Sequence, residues 1–290
     1  MTTVSNVPGD LLSEVDSAAA RARRAQGANL LLRALRGVAS AGISIGIVIG
    51  AWWLFLEYFN VSSYSGKGPS DVWHYLFSGS TAADHRRLMI DQSAITLRDA
   101  ALGLVVGTLA AIAASIAFNL SRSTERTLMP IAMVLRSVPL IAMTPVIVIV
   151  FGRNLRSVTM IASIVTFFPT LVNVTLALKA TPQDSLDLVR AYGASRFDTI
   201  RKVQIPSALP SLFASLRVAA PLALVGALLS EWLATGEGMG AEILRAGANS
   251  EYSGVWTRVA LVTMYSIILY KVIGGIEGRV LARYAPSYGR

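Results

Sequence analysis

The chain has 290 residues, of which 53% are hydrophobic and only 15% are charged. Soluble domains carry about 25% charged residues, so this composition excludes an ordinary soluble protein and indicates several membrane crossings. The net charge of +9 does not indicate nucleic-acid binding, because the basic residues lie between apolar segments and not on one soluble face. The chain has no cysteine, which excludes disulfides and thiolate metal sites.

Six segments are long and apolar enough to be predicted as transmembrane helices, since about 20 residues cross a bilayer. Gly103 and Gly107 in the second span are spaced for close packing against another helix. Pro139 and Pro145 in the third span and Pro221 in the fifth predict kinks. The predicted fold class is all-α, a polytopic membrane protein with six transmembrane helices. The spans lie at about 38–59, 95–119, 128–151, 158–178, 211–232 and 256–276.

The basic residues predict which side of the membrane each segment faces. With the N-terminus inside, sixteen Lys and Arg residues lie on the cytoplasmic side and eight on the outer side, while Arg136 and Arg217 remain within spans. Because Lys and Arg favour the cytoplasmic side, both termini are predicted to be cytoplasmic. The predicted divisions are a cytoplasmic tail at 1–37, the first span and an outer loop at 38–94, a five-helix core at 95–278 and a C-terminal tail at 279–290.

A basic segment at 182–206 interrupts the apolar chain on the predicted cytoplasmic side. Thr181 is predicted to be the N-cap of a short helix, with Pro182 at its first position. Gly193 is predicted to end this helix in the left-handed conformation. Leu186, Val189 and Tyr192 fall on one face, which predicts an apolar side.

A second short helix is predicted directly after the glycine. Ser195 and Asp198 resemble a capping box at its start. Phe197, Ile200 and Val203 are predicted to form its apolar face. Pro206 is predicted to stop this helix and Pro210 to help begin the fifth span. The two helices form a hairpin, which either docks a partner or is a basic loop attracted to anionic lipid headgroups.

The spacing after Gly193 carries a resemblance to a known family. Nine residues separate Gly193 from Val203-Gln204-Ile205-Pro206. This pattern resembles the signature loop of bacterial ABC-importer permeases, roughly Glu-Ala-Ala, three residues, Gly, nine residues, Ile-x-Leu-Pro. Asp187-Leu188-Val189 replaces Glu-Ala-Ala and keeps an acidic residue at the first position.

The resemblance extends over about residues 90–278. Segments 135–152, 166–196 and 230–246 are similar to the branch of these permeases for sulfonates, taurine, nitrate and pyrimidine precursors. The resemblance implies the type I ABC importer (MetI-like) permease fold in the inner (cytoplasmic) membrane. It also implies uptake of a small polar or anionic organic solute.

The resemblance further implies the partners of this chain. They are a cytoplasmic ATPase dimer that binds ATP and Mg, a second permease chain that is a copy or a paralogue, and an extracytoplasmic solute-binding protein. The chain has no G-x-x-x-x-G-K-[ST] segment, so it is predicted to bind no cofactor and to need the ATPase partner.

In the family, the segment matching 182–206 couples the permease to the ATPase. By resemblance, the coupling residues are Asp187, Arg190, Ala191, Tyr192, Gly193, Ala194, Ser195, Arg196, Val203, Ile205 and Pro206.

Polar residues within spans are candidates for the transport pathway or its gate, because they are costly in lipid. Arg136, just before Pro139, is predicted either to act at a gate or to extend its side chain to the inner interface. Glu231 is predicted either to contact substrate or the binding protein, or to be a hydrated residue beside an interfacial Trp. Thr144 and Asn173 are predicted either to line the pathway or to form interhelical hydrogen bonds.

Two other classes of protein fit the composition. A secondary carrier driven by protons or sodium would show inverted repeats and broken helices at mid-membrane, and no convincing repeat is present. A membrane enzyme would need a catalytic set, which the sequence lacks. His74 and His85 fall in the predicted outer loop and are predicted to be surface residues, so no metal site is expected.

Overall fold

The structure is a computed structural model that describes residues 42–284. The chain divides into two units, Met1–Pro69 and Ser70–Arg290. Helix α1 of the first unit, Gly42–Tyr58, is apolar but short. The predicted tail at 1–37 and the last six residues of the predicted tail at 279–290 lie outside the described residues.

The regular elements that follow α1 are all helical within the described residues. Two of them, Ile200–Gln204 and Glu231–Thr235, are π-helical segments. The α-helices are α2 Pro69–Phe77, α3 Ala82–Leu120, α4 Arg122–Ser137, α5 Leu140–Phe151, α6 Leu155–Lys179, α7 Gln183–Ala191, α8 Arg196–Thr199, α9 Ile205–Ser230, α10 Gly238–Ala248 and α11 Tyr252–Tyr284.

Four helices of the described chain are long and apolar enough to cross a membrane. They are α3, α6, the continuous helix Arg196–Thr235 and α11, and the bent pair α4–α5 makes a fifth span if it is counted as one. The prediction of an all-helical polytopic membrane protein is confirmed. The predicted count of six spans is not exact, because within residues 42–284 α1 is shorter than a full span and the third predicted span is broken.

The third predicted span, 128–151, consists of two helices that meet at an angle of 105°. The break falls at Val138 and Pro139, which have extended ψ values of 125° and 123°. A proline disfavours the helical conformation in the residue before it, which explains why the chain opens at Val138. Pro145 and Pro130 lie inside α5 and α4 without a break, so the kink is specific to Pro139.

The predicted stop at Pro206 is wrong, because the helix runs from Arg196 to Thr235 without interruption. The segment Ile200–Gln204 is a π-helical turn, and Pro206 follows it in the first turn of α9. The N–H of Ile205 bonds to the carbonyl of Ile200, five residues earlier. This wider bonding pattern leaves room for a proline that an ordinary helix interior would exclude.

The core lies where α3, α6 and α9 pack together at small residues. A methyl group on Gly103 would lie 2.2 Å from the Cβ of Ala162, and one on Gly226 would lie 2.8 Å from the Cα of Ala162. The hydroxyl of Thr166 donates to the carbonyl of Gly103 at 3.1 Å. The predicted packing role of the Gly103 and Gly107 pair is therefore confirmed, since the backbones touch at these positions.

Helix α11 is held on α9 by an ion pair. Arg217 contacts both carboxylate oxygens of Glu277, at 3.0 and 3.1 Å. Two parallel hydrogen bonds of this kind are stronger and more directional than a single contact. Arg217, which the sequence left within a span, therefore links two helices.

We expect Gly107→Ala to destabilise the protein by roughly 1–3 kcal/mol, the range for overpacking a tight core. A methyl group there would lie 2.0 Å from Thr166 Oγ1 and 2.5 Å from the carbonyl oxygen of Ser163, and backbone cannot move aside cheaply. The measurement is the unfolding midpoint in mild detergent. Gly278→Ala in α11 is the matched control, because its methyl group would meet no atom within 4 Å. Equal midpoints for the two variants would contradict the packing argument.

Candidate functional site

Helices α7 and α8 form the hairpin at 182–206, and Gly193 makes its turn. Gly193 has φ +78°, in the left-handed region. The N–H of Ala194 bonds to the carbonyl of Val189 at 3.1 Å, and that of Gly193 bonds to the carbonyl of Arg190 at 2.9 Å. These are the two bonds of a Schellman motif. The prediction that Gly193 ends α7 in this conformation is confirmed.

The two predicted N-caps of the hairpin have different outcomes. The hydroxyl of Thr181 donates to the carbonyl of Leu178, and Pro182 occupies the N-cap position of α7, so the first predicted cap is wrong. Ser195 caps α8 as predicted, because its Oγ accepts from the N–H of Asp198 at 3.1 Å and donates to the Asp198 carboxylate at 2.6 Å. An Asp side chain is too short for the usual reciprocal bond to the backbone, which explains the bond to the hydroxyl.

The base of the hairpin is bonded to the ends of two spans. Gln204, which is buried, donates to the carbonyl of Leu178 in α6 at 3.0 Å. Its side-chain oxygen accepts from Asn119 of α3 at 2.6 Å. Arg196 also donates to the carbonyl of Asn119, at 3.4 Å. The sequence analysis missed Gln204 and Asn119, although a polar residue between Val203 and Ile205 was the available signal.

The tip of the hairpin exposes apolar side chains. Tyr192 is 86% exposed, Phe197 62% and Leu188 60%. The predicted apolar faces are buried only in part. Leu186 in α7 and Ile200 directly after α8 are buried, whereas Tyr192 and Phe197 are exposed.

The predicted coupling residues divide between the tip and the base. Val203, Ile205 and Pro206 are half-buried at the base, and Ala194 is half-buried near the turn. Exposed at the tip are Asp187, Arg190, Ala191, Tyr192, Gly193 and Ser195, whereas Arg196 is exposed but bonded to the end of α3 at the base. Asp187 and Arg190 form a surface ion pair at 3.1 Å.

Glu231 lies at the other end of the continuous helix and is fully buried. Its Oε2 accepts from the hydroxyl of Thr96 in α3 at 3.0 Å and from the N–H of Gly240 in α10 at 2.8 Å. Thr96 Oγ1 in turn accepts from the N–H of Met239 at 3.0 Å. The carboxylate therefore joins α3 to the first turn of α10. It is closed off from bulk solvent, and its Oε1 has no hydrogen-bond partner within the described residues.

Gly238 closes over this carboxylate. A methyl group at Gly238 would lie 2.4 Å from the Cδ of Glu231, and the residue has φ +87°. Both the space and the backbone conformation therefore require glycine. The backbone of the Gly-rich turn that follows Glu231 and Trp232 in the sequence therefore covers the buried Glu231 carboxylate.

A second buried polar group, Arg258, lies in α11. Its Nε donates to the side-chain oxygen of Gln92 at 2.9 Å, and its Nη2 lies 3.8 Å from Glu242. Nearby, the hydroxyl of Tyr75 donates to Glu251 at 2.5 Å. Burial, together with the Glu251 carboxylate, raises the pKa of the Tyr75 hydroxyl, which keeps it protonated as a donor. The sequence analysis placed Arg258 on the outer side and missed this burial.

The other predicted pathway residues are dispersed. Arg136 is exposed in the last turn of α4, next to the break at Pro139, and Asn173 is exposed on α6. Thr144 is buried and donates to the carbonyl of Leu140 in its own helix at 3.0 Å. Among residues 42–284, no hydrogen bond or ion pair joins any of these side chains to another or to Glu231.

Of the two histidines, His74 is exposed and His85 is half-buried. The ring of His85 stacks on that of Tyr75 with centroids 3.9 Å apart, and its Nδ1 lies 3.0 Å from the Tyr75 carbonyl oxygen. Within the described part of the chain, no group of three or more His, Asp or Glu side chains is arranged to hold a metal ion.

Residues 103–285 match the family described as the binding-protein-dependent transport system inner membrane component. The chain belongs to this family. It is a membrane-embedded permease subunit of an ABC importer.

Curated relatives agree with this assignment. The chain is 26% identical to a probable ABC transporter permease protein of Haemophilus influenzae, over 78% of this chain and 90% of that protein. It is 30% identical to the formylaminopyrimidine transport permease protein ThiX of Halalkalibacterium halodurans, over 64% of this chain and 74% of that protein. It is 26% identical to the nitrate import permease protein NrtB of Leptolyngbya laminosa, over 90% and 95%.

A solved structure shows the same fold. A chain of the MetNI methionine ABC transporter in an inward-facing conformation matches with a TM-score of 0.56 and 19% identity, over 67% of this chain and 95% of that chain. The predicted MetI-like permease fold is therefore confirmed.

We expect Glu231→Ala to lower the free energy of unfolding by roughly 2–4 kcal/mol, because it leaves a cavity and an unpaired Gly240 N–H. Glu231→Gln should destabilise less than Glu231→Ala. Its amide oxygen still accepts from Thr96 and Gly240, although its NH2 group takes the place of Oε1, which has no partner in the described chain. The measurement is the unfolding midpoint, with proteolysis of 236–248 as a local readout. If Gln destabilises as much as Ala, the negative charge is essential and the hydrogen-bond account fails.

Proposed function

We propose that this permease imports a small polar or anionic organic solute, driven by ATP hydrolysis on a partner. The substrate class is of the sulfonate, taurine, nitrate or pyrimidine-precursor type. The functions named for its relatives support this substrate class, since they include nitrate import and formylaminopyrimidine transport. The chain itself carries no P-loop segment, so the ATP and Mg belong to a cytoplasmic ATPase dimer.

The hairpin at 182–206 couples the ATPase to the spans. The observation that supports this role is the contrast between its two ends. The tip exposes Tyr192, Phe197 and Leu188, which suit burial in a partner's cleft. The base is bonded through Gln204 to both α3 and α6. A displacement of the tip by the partner is therefore passed to two spans and not absorbed in a loop.

The remaining partners are proposed from membership of the same family. A second permease chain, a copy or a paralogue, completes the pathway. An extracytoplasmic solute-binding protein delivers the solute. The permease core is assigned to 95–278, with the first span and outer loop at 38–94 and the tails at 1–37 and 279–290.

The pathway and gate are assigned to the third-span region and the residues near it. Arg136 and Pro139 lie at the 105° break between α4 and α5, where helix ends freed by the proline can move. Asn173 is exposed on α6 and is free to face the pathway. Thr144 is buried, and its hydroxyl donates to the carbonyl of Leu140 within α5. Glu231 acts indirectly, because its buried carboxylate holds α10 against α3.

The orientation in the inner (cytoplasmic) membrane is N-terminus inside and C-terminus inside. The absence of native cysteine allows a direct test with single-cysteine variants and a membrane-impermeant thiol reagent. In intact cells, Tyr64→Cys and Asn249→Cys should be labelled. Tyr192→Cys should be labelled only after the cells are opened, although it is 86% exposed. Labelling of Tyr192→Cys in intact cells would invert the proposed topology.

We expect Gly193→Val to uncouple the transporter while the permease still inserts and assembles. No atom lies within 4 Å of a Cβ at this position, so the strain comes only from φ. Forcing that conformation on a branched residue costs on the order of 1–2 kcal/mol locally. Gly193→Asn should be milder, because Asn tolerates the left-handed region.

The measurement for these two variants is ATP hydrolysis by the reconstituted complex with and without loaded binding protein. Pull-down of the ATPase checks assembly. Stimulation should fall in the order glycine, asparagine, valine. Normal stimulation of the valine variant would show that the turn at Gly193 does not carry coupling.

A further inference from the structure

A cleft of about 1090 Å³ lies beside the hairpin. Its walls are the end of α3, the part of α4 from Arg122 to Met133, the end of α6 and the inner side of the hairpin. Five cationic side chains and a single carboxylate, that of Glu125, line it. The cations are Arg122, Arg126, Lys179, Arg190 and Arg196.

Only two of these cations are neutralised. Lys179 pairs with Glu125, and Arg190 pairs with Asp187 at 3.1 Å. Arg122 and Arg126 form no hydrogen bond or ion pair within residues 42–284. The cleft therefore holds uncompensated positive charge from two successive turns of one helix.

The third cation without a carboxylate partner comes from the hairpin. Arg196 donates only to a backbone carbonyl, that of Asn119, at 3.4 Å. It lines the same cleft as Arg122 and Arg126. Planar guanidinium groups bind phosphate oxygens through paired hydrogen bonds, so three of them around one space form a phosphate-binding arrangement.

The cleft also has an apolar half. Met129 and Met133 lie on the same face of α4 as Arg122 and Arg126, and Phe118 completes this wall. Met133 lies eleven positions after Arg122, and this spacing corresponds to a rise of about 16 Å along a helix. Charge at one end and thioether and aromatic surface at the other suit a ligand with an anionic head and an apolar tail.

We propose that this cleft binds an anionic phospholipid of the cytoplasmic leaflet. The phosphate contacts Arg122, Arg126 and Arg196, and the start of the acyl chains packs on Met129 and Met133. Basic pockets between helices on the cytoplasmic side are suited to acidic headgroups. The proposal uses the orientation given above but not the transported solute or the ATPase.

A lipid fits the cleft better than a free anion or an acidic protein segment. A free phosphate would use the guanidinium groups but leave the apolar wall exposed to water. An acidic segment would meet the same difficulty. Helix α4 itself buries none of its residues, and Ile131 and Val134, which do not line the cleft, are at least half exposed. Such a surface is stable only against acyl chains or another apolar partner.

The consequence concerns coupling. Arg196 belongs to the hairpin, whereas Arg122 and Arg126 belong to α4. A shared phosphate would therefore join the hairpin to the helix that precedes the break at Pro139. The charge of the leaflet would then affect how firmly the hairpin is held, independently of which solute is carried.

The test measures retention of a fluorescent phosphatidylglycerol by the full-length chain, assembled with its ATPase, in phosphatidylcholine nanodiscs. The double variant Arg122→Gln with Arg126→Gln should lose about thirtyfold in affinity, since each cation near the membrane surface contributes about fivefold. Both residues are exposed and unpaired, so folding should be unaffected. Arg279→Gln, an exposed cation in α11 outside the cleft, is the matched control and should bind normally.

A second variant separates a lipid from a free anion. Met133→Glu puts a carboxylate in the apolar half and should weaken phosphatidylglycerol binding while leaving the guanidinium groups intact. Glycerol 3-phosphate should compete only weakly with the lipid. Strong competition by glycerol 3-phosphate would instead assign the cleft to a free phosphate. Normal lipid binding by the double variant, an equal loss in Arg279→Gln, or no retention in the assembled complex would each overturn the proposal.

Discussion

The close approach of three helix backbones is the constraint on which the rest of this permease depends. Helices α3, α6 and α9 meet at Gly103, Gly107 and Gly226, where even a methyl group would overlap Ala162 or Thr166. In lipid there is little hydrophobic driving force between helices, so contact of this kind, with hydrogen bonds between helices, supplies the stabilisation. A bundle built this way is stiff, and its ends keep fixed positions.

The stiffness of the bundle fixes the position of the hairpin base. Because α3 and α6 are locked together, Asn119 and Leu178 at their ends form a fixed pair of hydrogen-bonding groups, and Gln204 bonds to both. The Schellman turn at Gly193 and the Ser195 cap keep the two short helices at a set angle. The apolar tip is thus presented on a rigid arm. In the proposed coupling role, a flexible loop of the same composition would absorb a displacement of the tip and would not pass it to the spans.

At the opposite end of the molecule, buried polar side chains link the helices, whereas in the core the helices pack at glycines. Glu231 joins α3 to α10 and is covered by Gly238, while Arg258 joins α11 to Gln92 of α3. Buried ionisable groups are costly, and both are retained with hydrogen-bond partners. Between these two rigid ends lies the break at Pro139, where α4 and α5 separate. The structure therefore combines two fixed ends with one opened span.

Local chemistry determined what the sequence alone could predict. Apolar length indicated a polytopic helical protein, Gly193 and Ser195 marked the hairpin turn, and Gly103 with Gly107 marked a helix contact, because each depends on residues close in the chain. Long-range packing decided the rest. Only the folded bundle buries Glu231 and brings Gln204 to Asn119, since those partners are 135 and 85 residues apart in pairs that no local pattern specifies. The same holds for Pro206, because the π turn that accommodates it depends on how the hairpin base is held.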